Sequence, residues 1–482
     1  MSIIKYIQKF KKSNRTLFTT PSHGQGDFVA PETAKMIGRR FFTCDYSEIE
    51  GFDNLAKPTG IIKLAQDEAA RVYDAKNTFF LTNGSSSGIV ASMLALLNKG
   101  DKVLIARNCH KSVYNGLVLT GAIPIWIMPH YNRDWGVYEP INYDYIEETL
   151  QRNRDIKLFI MTNPTYEGLM TDVYRVSHIC KKYKVKLLVD EAHGALWNFH
   201  KALGTPSLIQ GADIVVQSLH KTAGALNPSA LLHISKDADI DASAIQKSLN
   251  LITTTSPSYP LLLNIEGTIN YLNSDKGREN LSDLIKHINR LVRALKAIPN
   301  LEVYSYNNDV TKILVKVTNM SGFELSDILF EKYNIEDELA NEKSVLLLTG
   351  LGTSKSKLKK IEKALTEICL NNIKITYEDN TNKPVFNPVE PRVRYIPSLV
   401  WNQPYKEVEL KYALARVSME LIMDYPPGIP ILLPGEVIKK EHIAYLAGKQ
   451  KIKVLGWLIF NYVYIYCLNY ISVYSNYFKS NS

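Results

Sequence analysis

Between about residues 60 and 240 the chain alternates short apolar runs with amphipathic stretches, and the rhythm is regular enough to read as elements. The runs "TFFLTN", "KVLIAR", "IPIWIM", "IKLFIMTNP", "VKLLVDEAHG", "ADIVVQS" and "ALLHIS" are apolar almost throughout and are bounded by turn residues, so they predict strands buried on both faces. Between them lie predicted helices: "SSSGIVASMLALLNKG" closed by Gly100, "HKSVYNGLVLTG" ending at Gly121, the acidic "YDYIEETLQRN", and "VYRVSHICKKY". Alternation of this kind implies crossover connections and a mostly parallel central sheet with helices on both faces. In such an α/β fold, ligands bind beyond the carboxyl ends of the strands.

Further along, the basic helix "LSDLIKHINRLVRALKAI", the strands "KILVKVT" and "SVLLLTG" and the helix "SKLKKIEKALTEI" predict a small α+β domain. A Pro/Asn-rich linker, "EDNTNKPVFNPVEPRVR", follows. The stretch "KEVELKYALARVSMELIM" predicts a helix leading into the extended segment "DYPPGIPILLPGE". The expected organisation is an N-terminal segment (1–59), a large domain (60–281), the small domain (282–375), the linker (376–395), a C-terminal subdomain (396–453) and an aromatic tail (454–482).

A chain of 482 residues is too long for one core, which agrees with two or three domains. With 45% apolar and 22% charged residues it is an ordinary globular composition, so wholesale disorder is excluded. The net charge of +9 is scattered, without a basic stripe interleaved with aromatics, and nucleic-acid binding is disfavoured. Five cysteines, far apart and without a CxxC pair, suggest a reducing compartment and no structural metal. The N-terminus lacks the apolar block of a secretory signal, and a cytoplasmic protein is expected. Val454 to Phe478 runs for 25 residues without a formal charge, long enough to cross a bilayer. Its asparagines, serines and many tyrosines favour a packed tail over membrane contact.

Three features carry chemistry. "FLTNGSSSG" puts hydroxyls and free backbone N–H groups at a strand-to-helix turn, which favours a phosphate, although serines that merely cap the helix are the commoner case. Asp190 ends a buried strand, where a carboxylate must be solvated, paired or functional. Lys221, flanked by Ser218 and His220, lies on a short connection between two core strands; most lysines are solvated, so only its context singles it out. A phosphate turn, a strand-end aspartate and, about thirty residues on, a lysine are together what pyridoxal 5'-phosphate requires: a Schiff-base lysine, a carboxylate for the pyridine nitrogen and a phosphate cradle. His110, at another strand-to-helix turn, is a candidate to stack on the ring or simply starts its helix. His193, three residues past Asp190, faces the substrate or braces the loop.

The sequence resembles the Orn/Lys/Arg decarboxylase family, of aminotransferase class I fold, in its short bacterial arginine-decarboxylase-like form. The resemblance rests on "EGFDNLAKPTGIIKLAQDEAA", "TFFLTNGSSSG", "NCHKS", "TNPTYEGL", "VDEAHGA", "QSLHKT", "TTSPSY" and "DYPPGIPILLPGE", and covers about Phe18 to Gly448. It implies Lys221 as the Schiff-base lysine, Asp190 as the pyridinium partner, His110 as the stacking residue, and Ser86, Ser87, Ala192, Ser218 and His220 around the cofactor. It further implies a homodimer or higher homo-oligomer with shared active sites, so that Thr255 and Ser256 reach the partner's phosphate group. The chain departs from the family at "PSHGQG", where a pattern close to "PGHKGG" is usual, and at Asn227 and Pro228; both changes bear on substrate choice or oligomer contacts. The N-terminal wing of the large inducible enzymes is not expected.

The implied function is decarboxylation of a basic amino acid, arginine to agmatine, for polyamine biosynthesis; lysine and ornithine are the alternatives. The distal cation calls for a carboxylate, and Glu50, Asp53, Glu167 and Glu436 are candidates, each of which also has an ordinary solvated or capping role. An aminotransferase would clamp the substrate carboxylate with an arginine such as Arg392, Arg394 or Arg416. An inactive regulatory homologue is a further alternative, which the intact Lys221 and Asp190 disfavour.

Overall fold

The computed structural model describes residues 2–13, 15–306, 308–371, 388–424 and 428–456. Each apolar run of the large domain forms a strand: Asn77–Leu81 (β1), Lys102–Ala106 (β2), Ile123–Ile127 (β3), Ile156–Thr162 (β4), Lys186–Asp190 (β5), Ile214–Ser218 (β6) and Ala230–Ile234 (β7). They make one seven-stranded sheet in the order β1-β7-β6-β5-β4-β2-β3. The pairs β3–β2, β2–β4, β4–β5 and β5–β6 are parallel, while β7 runs antiparallel to both β6 and β1. The exception has a simple cause: the connection from β6 to β7, residues 219–229, is too short for a crossover. Lys221 sits in that connection. β1 and the five mutually parallel strands therefore present their carboxyl ends on one side.

Helices cover both faces. Gly84–Leu96 (α1) is apolar on nearly every side and correspondingly buried, and it packs on the sheet where Gly88 leaves room. A Cβ at Gly88 would stand 2.8 Å from Leu81 Cδ1 and 2.9 Å from Val216 Cγ1, so close helix–sheet approach needs glycine there. Lys111–Thr120 (α2) ends at Gly121 in the left-handed conformation, as its sequence predicts. The N-terminus forms an amphipathic helix, Ile3–Lys11, that buries Ile3, Ile7 and Phe10. Its first N–H groups, of Ile3 and Ile4, donate to the Glu266 carboxylate at 3.1 and 2.8 Å.

The smaller sheet is antiparallel throughout: Leu301–Val303 (β8), Lys312–Val317 (β9), Leu339–Ala340 (β10) and Val345–Leu348 (β11), in the order β8-β9-β11-β10. The helix Asp275–Lys296 buries Leu281, Leu284, Ile288, Leu291 and Leu295 against this part of the core, the 3–4 spacing that its sequence predicts.

The helix expected over residues 406–423 does not form. Tyr405–Glu409 (β12) pairs antiparallel with Lys451–Leu455 (β15), and Ile422–Asp424 (β13) with Ile429–Leu432 (β14). Register puts Glu407 opposite Lys453 and Glu409 opposite Lys451, while Val408 packs with Ile452 and Val454 in a small apolar cluster, and this tertiary burial overrides the local helix propensity. Val454 and Leu455 thus belong to β15 rather than to the tail. The rest of that tail, most of the linker, and Tyr425–Pro427 lie outside the described residues. Among the described residues, no helix is long and apolar enough to cross a membrane.

Candidate active site

Five strand ends converge on a cavity of about 260 Å³. From the turn after β1 come Asn83, Gly84, Ser85 and Ser86, at the N-terminus of α1, where unpaired N–H groups and the helix dipole attract an anion. Gly84 has φ +73°, which lets the chain turn sharply from strand into helix. Asn108 and His110 follow β2, Thr162 ends β4 with Tyr166 beyond it, Asp190 ends β5 with Ala192 and His193 beyond it, and His220 and Lys221 follow β6. Ile429 arrives from the C-terminal lobe, because the Gly428 carbonyl accepts from Lys111 N at 3.1 Å, at the start of α2.

Lys221 Nζ lies 2.9 Å from His193 Nε2 and 5.8 Å from the centre of the Tyr166 ring. Burial holds its pKa below the usual lysine range, while Asp190 and Glu338 oppose the shift and Lys312 adds to it. His193 packs edge-on against Tyr166 at 4.6 Å. Burial, then the charges of Lys221 and Lys312, push its pKa well down, so the imidazole is neutral. Asp190 is buried, with Oδ1 accepting from Ala192 N at 3.1 Å.

Backbone partners fix the tautomers of His110 and His220. His110 Nδ1 accepts from Ser112 N at 3.2 Å, capping α2, so this residue both starts its helix and lines the cavity. Burial lowers its pKa, and the proton of the neutral ring is on Nε2. His220 Nδ1 donates to the Ser229 carbonyl at 3.1 Å, and burial lowers its pKa too.

The serines divide. Ser86 lines the cavity, and buried Ser218 donates to Ser85 Oγ at 2.9 Å. Ser87 does not line it: its hydroxyl turns back to donate to the Gly84 carbonyl at 2.7 Å, and Ser85 takes the position that Ser87 was expected to fill. Thr255 and Ser256 are exposed and outside this chain's cavity lining. Asn227 and Pro228, the departure from the family pattern, do line it.

None of the four acids weighed for a distal cation lines the cavity. Glu50 is exposed beside Arg15. Asp53 accepts from the N–H groups of Gly60, Ile62 and Lys63 at 2.7–3.1 Å and caps the helix Ile61–Val72. Glu167 is buried, which raises its pKa, and Glu436 forms a buried ion pair with Arg107 at 2.9 Å. Arg392, Arg394 and Arg416 are likewise outside the lining.

Sequence reasoning placed Ser85 in the phosphate turn but missed Thr162, Tyr166 and Glu338, whose carboxylate accepts from the Tyr166 hydroxyl. Thr162 ends its strand as Asp190 does, and that parallel was the available signal. Its Oγ1 is buried without a protein partner. An orphaned hydroxyl, a helix N-terminus bearing two serines, a buried carboxylate and a buried amine around one cavity are a donor and acceptor set that fits pyridoxal 5'-phosphate.

The family model for the Orn/Lys/Arg decarboxylase major domain matches residues 2–316, and the one for the Orn/Lys/Arg decarboxylase C-terminal domain matches residues 380–454. The chain is 32% identical over 453 residues to an arginine decarboxylase of Bacillus subtilis, covering 91% of each chain. Identity to the constitutive lysine decarboxylase of Escherichia coli is 24%, over 91% of this chain and 75% of that one. The solved structure of the E. coli constitutive lysine decarboxylase superimposes with a TM-score of 0.81 at 19% identity, covering 94% of this chain and 82% of the other.

Proposed function

This chain belongs to the Orn/Lys/Arg decarboxylase family, and from that premise we propose that it decarboxylates arginine to agmatine in the cytoplasm, as a step toward polyamines. With the family come the reaction class, amino-acid decarboxylation, and the cofactor, pyridoxal 5'-phosphate. The choice of arginine is supported by 32% identity to an arginine decarboxylase, against 24% to a lysine decarboxylase.

The observation that carries the residue assignment is the Lys221–His193 contact at 2.9 Å inside the cavity that Asp190 also lines. In this reading Ser85, Ser86 and His220, with the α1 N-terminus, hold the phosphate. His110 would cover the ring, Asp190 would pair with the ring nitrogen, and Lys221 would be the residue of covalent attachment. When bound, the cofactor supplies a conjugated pyridinium that accepts the electron pair left as CO2 departs. A carboxylate at the Asp190 position would favour the protonated ring nitrogen. Lys221 Nζ and His193 Nε2, 2.9 Å apart, are placed to take the proton that the substrate ammonium gives up and to share it between them. Either group then delivers the proton to Cα. Active sites shared between two copies would explain why Thr255 and Ser256 are exposed in the single chain and why none of the carboxylates weighed for the distal cation lines its cavity.

The test is a parallel assay of CO2 and amine with arginine, lysine and ornithine. Arginine should lead in kcat/KM by at least about tenfold, equivalent to roughly 1.4 kcal/mol of discrimination. A lead of that size for lysine or ornithine refutes the substrate, and transamination without CO2 refutes the reaction.

A further inference from the structure

Lys312, near the start of β9, is a lysine with no solvent exposure. Its Nζ spends all three donors: on the His193 carbonyl at 2.6 Å, Asp309 Oδ2 at 3.0 Å and Thr311 Oγ1 at 3.0 Å. Asp309 is equally enclosed. Its Oδ2 also accepts from Trp197 Nε1 at 2.7 Å, and its Oδ1 from Thr311 N at 2.8 Å and Thr311 Oγ1 at 2.7 Å. Burial pushes the Asp309 carboxyl up, but the Lys312 charge and these hydrogen bonds outweigh it and hold its pKa low, so the pair is ionic.

A buried ion pair stabilises no better than apolar residues of the same shape, and so its presence calls for another reason. Here the ammonium reaches from the small sheet into the turn after β5. It grips the backbone of the residue whose imidazole touches Lys221. The lysine stem also packs against the turn that carries Tyr166: a Cβ on Gly168 would lie 2.7 Å from Lys312 Cβ, and Asp309 N donates to the Gly168 carbonyl at 2.8 Å. The same lobe holds the Lys221 turn, since Leu351 N donates to the Thr222 carbonyl at 3.0 Å.

We propose that Lys312, oriented by Asp309, is a positioning residue: from the small lobe it fixes the His193 backbone and so sets the His193–Lys221 contact. The proposal rests on the reading of Lys221 as the cofactor lysine. Lys312 touches neither the cavity nor Lys221 directly, and it acts through His193. Its charge also joins burial in lowering the pKa of both partners.

Two variants of the holoenzyme separate positioning from stability. Lys312→Met strands a buried carboxylate and should lower Tm, whereas Lys312→Met with Asp309→Asn removes both charges and should bring Tm back near wild type. In that double variant kcat should remain at least about tenfold low while KM changes by less than about threefold. The rate at which hydroxylamine displaces Lys221 from the cofactor, read as loss of the visible absorbance, should fall by at least about tenfold as well. Recovery of kcat and displacement rate together with Tm overturns the proposal, as does a single variant with wild-type kcat. Absence of a Lys221-dependent absorbance in the wild-type holoenzyme overturns the reading of Lys221 itself, and the positioning role with it.

Discussion

At the scale of single residues, burial does most of the tuning. Lys221, His193, His110 and His220 all have lowered pKa values with desolvation as the first cause, so burial favours the neutral form of each base around a site that must move protons. His233 offers a clean test of the same physics away from the chemistry. It is buried in β7, its Nδ1 bonded to Thr78 Oγ1 at 2.8 Å, and burial alone lowers its pKa to about 3. A depressed folded-state pKa means that the unfolded chain binds the extra proton, so this contribution to stability is present above about pH 6.5 and is lost as pH falls toward 3. Relative to His233→Gln, the wild type should lose roughly 2 kcal/mol of unfolding free energy between pH 6.5 and 5, measured by urea denaturation. A difference between the two proteins that stays flat with pH would contradict a neutral, desolvated ring.

At the scale of elements, the large sheet was legible because parallel strands buried on both faces leave continuous apolar runs, and "IKLFIMT" can hardly be anything else. The segment 406–423 was not. Its first strand, β12, owes its state to β15, tens of residues further along the chain, and periodicity within a window cannot register such pairing. The site shows the same division. Lys221, Asp190, His110, Ser85 and Ser86 are strand-end residues with recognisable chemistry, whereas Tyr166 and Glu338 are defined by what they touch. Glu436 was misjudged for that reason: a lone acid in sequence, it is bonded in space to Arg107, whose guanidinium also donates to the Ile431 carbonyl at 3.1 Å and stacks on Trp126 at 4.7 Å. This ion pair joins β2 to the C-terminal lobe that delivers Ile429 to the cavity. Arg107→Met leaves Glu436 buried and unpaired, and should cost about 3–5 kcal/mol in chemical denaturation. Adding Glu436→Gln should restore much of that loss; an equally destabilised double variant would mean that the guanidinium's other contacts dominate.

At the scale of the whole molecule, three lobes meet at one cavity: the large sheet supplies the lysine and aspartate, the small sheet grips their turns through Lys312 and Leu351, and the C-terminal lobe contributes Ile429. The N-terminal segment leaves Phe18, Phe28 and Met36 between 73 and 97% exposed, an apolar surface suited to a second copy of the chain. Light scattering on the purified protein should give at least twice the monomer mass, and replacing Phe18, Phe28 and Met36 by serine should shift it toward monomer. A monomeric wild type would remove the basis for a shared active site. The central claim is that Lys221, rather than any other lysine, carries the cofactor. Borohydride reduction of the holoenzyme followed by peptide mass mapping tests it directly: a single pyridoxyl group on Lys221 is the predicted result, and a modification on Lys312 or elsewhere, with Lys221 unmodified, would contradict it.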